Sequence, residues 1–217
     1  MATIQPVACV FIKGDTAIGP LSGGNDASAW HFTQDPALPT SRPQAMMGVT
    51  GKKSRRGEAR IMAHVQDVAA YVLDRLGPMS AMKLQKLCYF SYGYHLVWEE
   101  RPLFPERFQA WANGPVSPPL YQMHRGRFGL VPGDIPGKAA NLDRGERESI
   151  DLVLDAYGKF TAHQLSAMTH SEGPWVQARK RDGAGLLDRS SEVLRDDDIA
   201  AYFEALTSAD ADGQGQR

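Results

Sequence analysis

Cysteine is nearly missing from this chain: among 217 residues there are two, Cys9 and Cys88. They lie in stretches of very different character with no redox or ligand spacing, so neither a disulfide framework nor a thiolate metal centre is encoded. A reducing cytoplasm is the expected location. Long apolar runs are missing too. Nothing approaches the roughly eighteen residues that span a bilayer, and Gly14, Asp15, Gly19 and Pro20 interrupt any signal-peptide core near the start. An excess of one charge is also lacking. Lys+Arg number 24 against 25 Asp+Glu, a net charge of -1, which excludes a strongly basic, whole-surface nucleic-acid binder.

Catalytic constellations are equally scarce. The six histidines stand at 31, 64, 95, 124, 163 and 170, with no pair four apart around a glutamate. His163 and His170 are two helical turns apart, roughly 10 Å of rise, too far to share one metal on a straight helix. Cys88 and His95 have the same separation and fail as a thiolate pair, so Cys88 reads as a small core residue beside Leu84 and Leu87. Gly51-Lys52-Lys53-Ser54 lacks the upstream glycine and the following helix of a phosphate loop. No enzyme, catalytic residue, cofactor or metal is expected.

What is present divides unevenly. Residues 1–61 show no sustained period, are broken by Gly and Pro, and hold only Phe11, Trp30 and Phe32 as aromatics. They carry seven Lys/Arg against four Asp/Glu, or +3, which leaves -4 for residues 62–217. Such an arm buries too little apolar surface to offset its ordering entropy and reads as disordered. Two readings of it stand: a genuine arm whose basic run from Lys52 to Arg60 meets nucleic acid or an acidic partner, or a mis-assigned start, with Met62 as the true one.

Periodicity begins at Met62. Val65, Val68, Ala69, Val72, Leu73 and Leu76 form one buried helical stripe, stopped by Gly77-Pro78. Ser80 caps a second helix, ended by Arg101-Pro102. Phe108 to Trp111, bounded by Pro105 and Asn113-Gly114-Pro115, reads as a short strand or an extended arm, and Pro118-Pro119 opens a short helix. Gly126 to Gly137 reads as loop. Asp143 with Glu146, and Thr161 with Gln164, have capping-box spacing. Ser171 and Pro174 start a short turn at Trp175. A last helix begins at Asp196 to Asp198 and runs to Leu206. The expectation is a mainly α, compact multi-helix domain over 62–206, with at most a short β element near 108–116 and a disordered tail at 207–217.

One region is unusually aromatic. Tyr89, Phe90, Tyr92, Tyr94, Trp98, Phe104, Phe108 and Trp111 fall within 23 positions. On one helix successive side chains turn by about 100°, so Tyr89, Phe90, Tyr92 and Tyr94 cannot share a face. Either the helix is buried on several sides, or some of these rings face a partner, for which Tyr and Trp are preferred anchors. One or two of Tyr89, Tyr92 and Tyr94 are expected at the surface. Lys83 and Lys86, three apart, read as a projecting cationic pair, either solvated or in contact with that partner.

Three segments closely resemble the Panacea domain, the SocA-like antitoxin and proteolytic-adaptor family that includes phage-associated GepA-type proteins. They are Lys-Leu-Gln-Lys-Leu at 83–87 with its following aromatics, Ala-Trp-x-x-Gly-Pro-Val at 110–116, and Thr-His-x-x-x-Pro-Trp at 169–175. The resemblance covers about 63–206; Asn113 stands where the family more often has an aromatic residue or lysine. It implies a non-enzymatic antitoxin of a type II toxin–antitoxin pair, binding a cognate protein toxin directly and handing it, in the SocA manner, to a Clp-type protease. Lys83, Lys86, Tyr89, Tyr92, Tyr94, Trp111 and Asn113 are the candidate partner contacts. Gly114, Pro115, Val116, Thr169, His170, Pro174 and Trp175 are expected to be structural. The rival reading is a DNA-binding or phage-associated regulator using the basic run at 52–60 or the Arg125-Gly126-Arg127 loop for phosphates; the -4 of residues 62–217 weighs against it.

Overall fold

A computed structural model describes residues 62–170, 173–185 and 188–213, with 209–213 described by backbone alone. The expected arm at 1–61, its basic run and residues 214–217 lie outside the described residues.

Helix α1, Val65–Leu76, opens on a polar junction that ties distant chain together. The buried Asp67 carboxylate accepts from His64 N–H at 3.0 Å, Lys138 N–H at 2.7 Å and Asn141 Nδ2 at 3.2 Å. Gly77, at φ +76°, stops the helix. Met79–Ser80 forms a two-residue strand, β1, and the Ser80 hydroxyl accepts from Lys83 N–H at 3.3 Å to cap α2, Ala81–Glu99.

Helix α2 is the axis of the core. Helices α4 (Arg144–Tyr157), α5 (Ala162–His170) and α7 (Asp196–Gly213) pack around it together with α1. Leu84, Gln85, Lys86, Leu87, Cys88, Tyr89, Phe90, Ser91, Tyr92 and Tyr94 are all buried, so no face is left to water over that stretch. This decides the question of the aromatics. Phe90 stacks on Tyr157 at 4.5 Å, Tyr89 meets Phe108 edge-on at 5.3 Å, and Tyr94 meets Phe203 at 4.9 Å. Tyr94 and Tyr157 share a hydroxyl hydrogen bond of 2.8 Å, and Tyr92 donates to Asp196 Oδ1 at 2.9 Å. Gly93 lets the Phe203 ring of α7 lie on the α2 backbone, where any Cβ would collide with it.

The β structure is a hairpin, β2 (Gln109–Trp111) with β3 (Gly114–Val116), in register Gln109↔Val116 and Trp111↔Gly114. The sequence places β2 and treats Asn113-Gly114-Pro115 as a boundary; the structure makes that boundary the returning strand. A second ladder pairs β1 with β4, Gly129–Leu130. Two-residue strands leave no periodic signal, which is why 126–137 reads as loop. Helix α3, Pro118–His124, follows its expected prolines.

Both capping boxes form. Asp143 Oδ1 accepts from Glu146 N–H at 2.8 Å and Glu146 Oε2 from Asp143 N–H at 2.9 Å. Thr161 Oγ1 accepts from Gln164 N–H at 3.2 Å, with Gln164 Oε1 on Thr161 N–H at 2.9 Å. The turn expected at Trp175 is a full helix, α6, Pro174–Asp182. Helix α7 continues past Leu206 to Gly213, so much of the tail read as disordered from 207 is helical.

Candidate functional site

The three sequence segments with the strongest signature meet at the hairpin. From α2, Gln85 brackets the exit of β3: its Oε1 accepts from Ser117 N–H at 2.9 Å, and its Nε2 lies 3.4 Å from Ser117 O and 3.0 Å from His124 Nε2. One residue on, Lys86 Nζ donates to Pro115 O at 2.9 Å. From α5, Ser166 Oγ donates to Asn113 O at 2.9 Å, and Thr169 Oγ1 donates to Ser166 O at 2.7 Å. From α6, Trp175 Nε1 donates to Trp111 O at 2.8 Å, and Arg179 Nη1 to Ala110 O at 2.8 Å. The carbonyls of Ala110, Trp111, Asn113 and Pro115 are thus each met by a side chain from one of three helices.

The packing at the hairpin tip requires glycine. Gly114 has φ +97°, and a Cβ there would stand 2.5 Å from Thr169 Oγ1 and 2.6 Å from Lys86 Nζ. Beneath it, Arg179 lies over the Trp175 ring at 5.0 Å, while the His170 ring stacks on Trp175 at 4.3 Å between centroids. Burial, and then the neighbouring Lys86, Arg179 and His163, push the His170 imidazole down to about 4, so it is neutral at physiological pH. Burial pushes the Lys86 ammonium down to about 7.

Several expected partner contacts are corrected here. Lys86 is fully buried, and Lys83 Nζ is turned onto Gly158 O at 2.6 Å, so the two do not project as a solvated pair. Tyr89, Tyr92 and Tyr94 are all buried, at 2%, 1% and 0% exposure, and no partner can reach them without unfolding the core. The aromatic density that made them candidates serves a helix enclosed by its neighbours. Trp111 is half-buried, with Nε1 donating to Gln109 Oε1 at 2.9 Å and its ring edge-on to Tyr121 at 4.8 Å. Asn113 is exposed at the tip. Val116, Thr169, Pro174 and Trp175 are buried.

Trp111 and Asn113 open onto a groove of about 1240 Å³. One wall is the hairpin, another the first turns of α2 from Ala81 to Lys86, a third Tyr121, Gln122 and His124 of α3 with the 125–128 loop, and the last Asp182 with 189–191. Phe128 stands at its lip with 87% of its surface exposed. Sequence reasoning passes over Phe128, Tyr121 and Arg189; the one available signal is a lone aromatic held between Gly126 and Gly129. Among the described residues no group of His, Cys, Asp or Glu is placed to hold a metal, and no helix is long and apolar enough to cross a membrane.

The family described as antitoxin SocA-like, Panacea domain, matches residues 84–176, which run from the first turn of α2 to Val176 in α6. Among curated proteins, Antitoxin SocA of Caulobacter vibrioides (strain NA1000 / CB15N) is 35% identical over 141 residues, covering 59% of this chain and 74% of that protein. No solved structure matches the chain.

Proposed function

The chain belongs to the SocA-like antitoxin family built on the Panacea domain, and on that premise we infer that it neutralises a cognate protein toxin by binding it directly, as the antitoxin of a type II pair. Membership supports an antitoxin role and a toxin partner in general terms. The observation that carries the more specific reading is the open groove beside the hairpin, edged by Trp111, Tyr121 and Phe128. Protein partners anchor on Trp and Tyr in such settings, and a hairpin tied down by Lys86, Ser166, Trp175 and Arg179 presents its tip at little ordering cost. Delivery of the bound toxin to a Clp-type protease in the cytoplasm is the second limb of the proposal.

The test is co-expression with the product of the adjacent gene. Growth rescue together with co-purification of the two proteins is expected. Rescue lost in a strain without its Clp proteases, with co-purification retained, identifies the adaptor limb; rescue unchanged there limits the protein to direct neutralisation. A product that neither co-purifies nor is relieved of its toxicity removes the proposal.

A further inference from the structure

We propose that the groove beside the hairpin is the seat of an acidic segment of the toxin carrying one large apolar side chain that packs on Phe128. The proposal rests on the antitoxin reading and says which surface and which chemistry that reading uses.

Charge is the first reason. Residues 62–217 sum to -4, yet among the described residues the groove carries Arg125, Arg127 and Arg189 against Asp182 as its one acidic side chain. Arg127 is engaged by Asp134 at 2.6 Å. Arg125 and Arg189 are exposed, and among the described residues neither has an acidic partner. A local basic rim on an acidic background selects acidic partners and steers their approach.

The lip supplies the second reason. An 87% exposed phenylalanine does nothing for the fold, but its backbone is held firmly. Phe128 O accepts from Ala81 N–H at 2.8 Å, Arg127 N–H donates to His124 O at 2.9 Å, and Gly129–Leu130 pair with Met79–Ser80. A ring displayed on a fixed frame loses little freedom on binding, which is the property of an interface anchor. The rim is also too sparse for a nucleic acid. Among the described residues, two arginines without an acidic partner beside an aspartate do not make the continuous basic track that a phosphate backbone needs.

The experiment uses the full chain co-expressed with the product of the adjacent gene. Three variants are compared with wild type: Phe128→Ala, Arg125→Glu with Arg189→Glu, and Arg144→Glu as an exposed charge change on α4. Unfolding midpoints identify any variant that fails to fold. The reading expects affinity for the toxin to fall about tenfold for Phe128→Ala and more for the double reversal, the latter recovering in part at raised salt, with Arg144→Glu unchanged. A photo-crosslinker at position 128 should map to a stretch of the toxin holding at least two Asp or Glu. Wild type binding the toxin while the folded groove variants bind equally well overturns the groove and leaves the antitoxin reading standing. Wild type failing to bind at all overturns the antitoxin reading first. A crosslink to a basic or uncharged stretch, or loss of DNA binding rather than toxin binding in the double reversal, also overturns the proposal.

Discussion

Lys86 sits where the three signature segments of the fold meet, fully buried, with Pro115 O as its hydrogen-bond acceptor and, among the described residues, no carboxylate paired with it. Burial lowers its pKa from 10.5 to about 7. At ~1.36 kcal/mol per pKa unit, keeping that ammonium charged in the fold costs roughly 5 kcal/mol. The pH dependence follows from where each state holds the proton. Below pH 7 folded and unfolded chains are both charged and the fold carries the whole cost. Between pH 7 and 10.5 the folded amine is neutral while the unfolded one is still charged, so unfolding takes up a proton and stability rises with pH. Above 10.5 the cost is gone. From pH 7 to 8.5 the gain is about 1.5–2 kcal/mol. That window avoids the Cys88 thiol and the Tyr89 and Tyr92 phenols, which burial pushes up and which erode stability once the unfolded groups ionise at 9.0 and 10.0. The assay is urea unfolding of wild type and Lys86→Met at both pH values. Methionine keeps the stem and removes the charge, and the weaker, same-sign shift of Lys83 is present in both proteins and cancels. Wild type should gain about 1.5–2 kcal/mol more than the variant across the window. Equal pH slopes would refute the buried charge.

The other expectations concern packing. Gly114→Ala should cost at least about 2 kcal/mol, read as a fall in Tm, because positive φ and the approach of Thr169 and Lys86 act together; a change below half of that would mean the hairpin tip yields. Gly93→Ala should destabilise by about 2–4 kcal/mol although alanine is the better helix former by ~1 kcal/mol, and Phe203→Leu should restore part of the loss if the Phe203 ring is the obstacle. Without that recovery, the clash lies elsewhere. Cys88 is fully buried with its thiol pushed up by burial, so in a Cys9→Ser background it should react with a thiol reagent only on unfolding, and Cys88→Ala should cost about 1 kcal/mol. Fast labelling in native buffer would contradict the packing.

Local rules made much of the architecture legible. The stop at Gly77, the cap at Ser80, both capping boxes and the proline-led α3 depend on residues within four positions of one another, where chain geometry leaves few choices. The β2 strand was legible for the same reason, and its partner β3 was not, because pairing is settled by Gln85, Lys86 and Thr169 arriving from elsewhere in the chain. Composition likewise showed that Tyr89, Tyr92 and Tyr94 could not share one helical face. It could not say whether the rings off the main stripe met water, a partner or other helices. Helices α4 and α7 and the hairpin decided that, by enclosing α2 and closing Tyr157, Asp196 and Phe203 over the rings. The same enclosure turned Lys86 from a surface cation into a buried one. The groove belongs wholly to tertiary structure: Trp111, Tyr121, Phe128 and Arg189 come from four separate segments, and no spacing in the sequence links them. Burial depends on which elements lie opposite, and a single chain read in order carries no record of that.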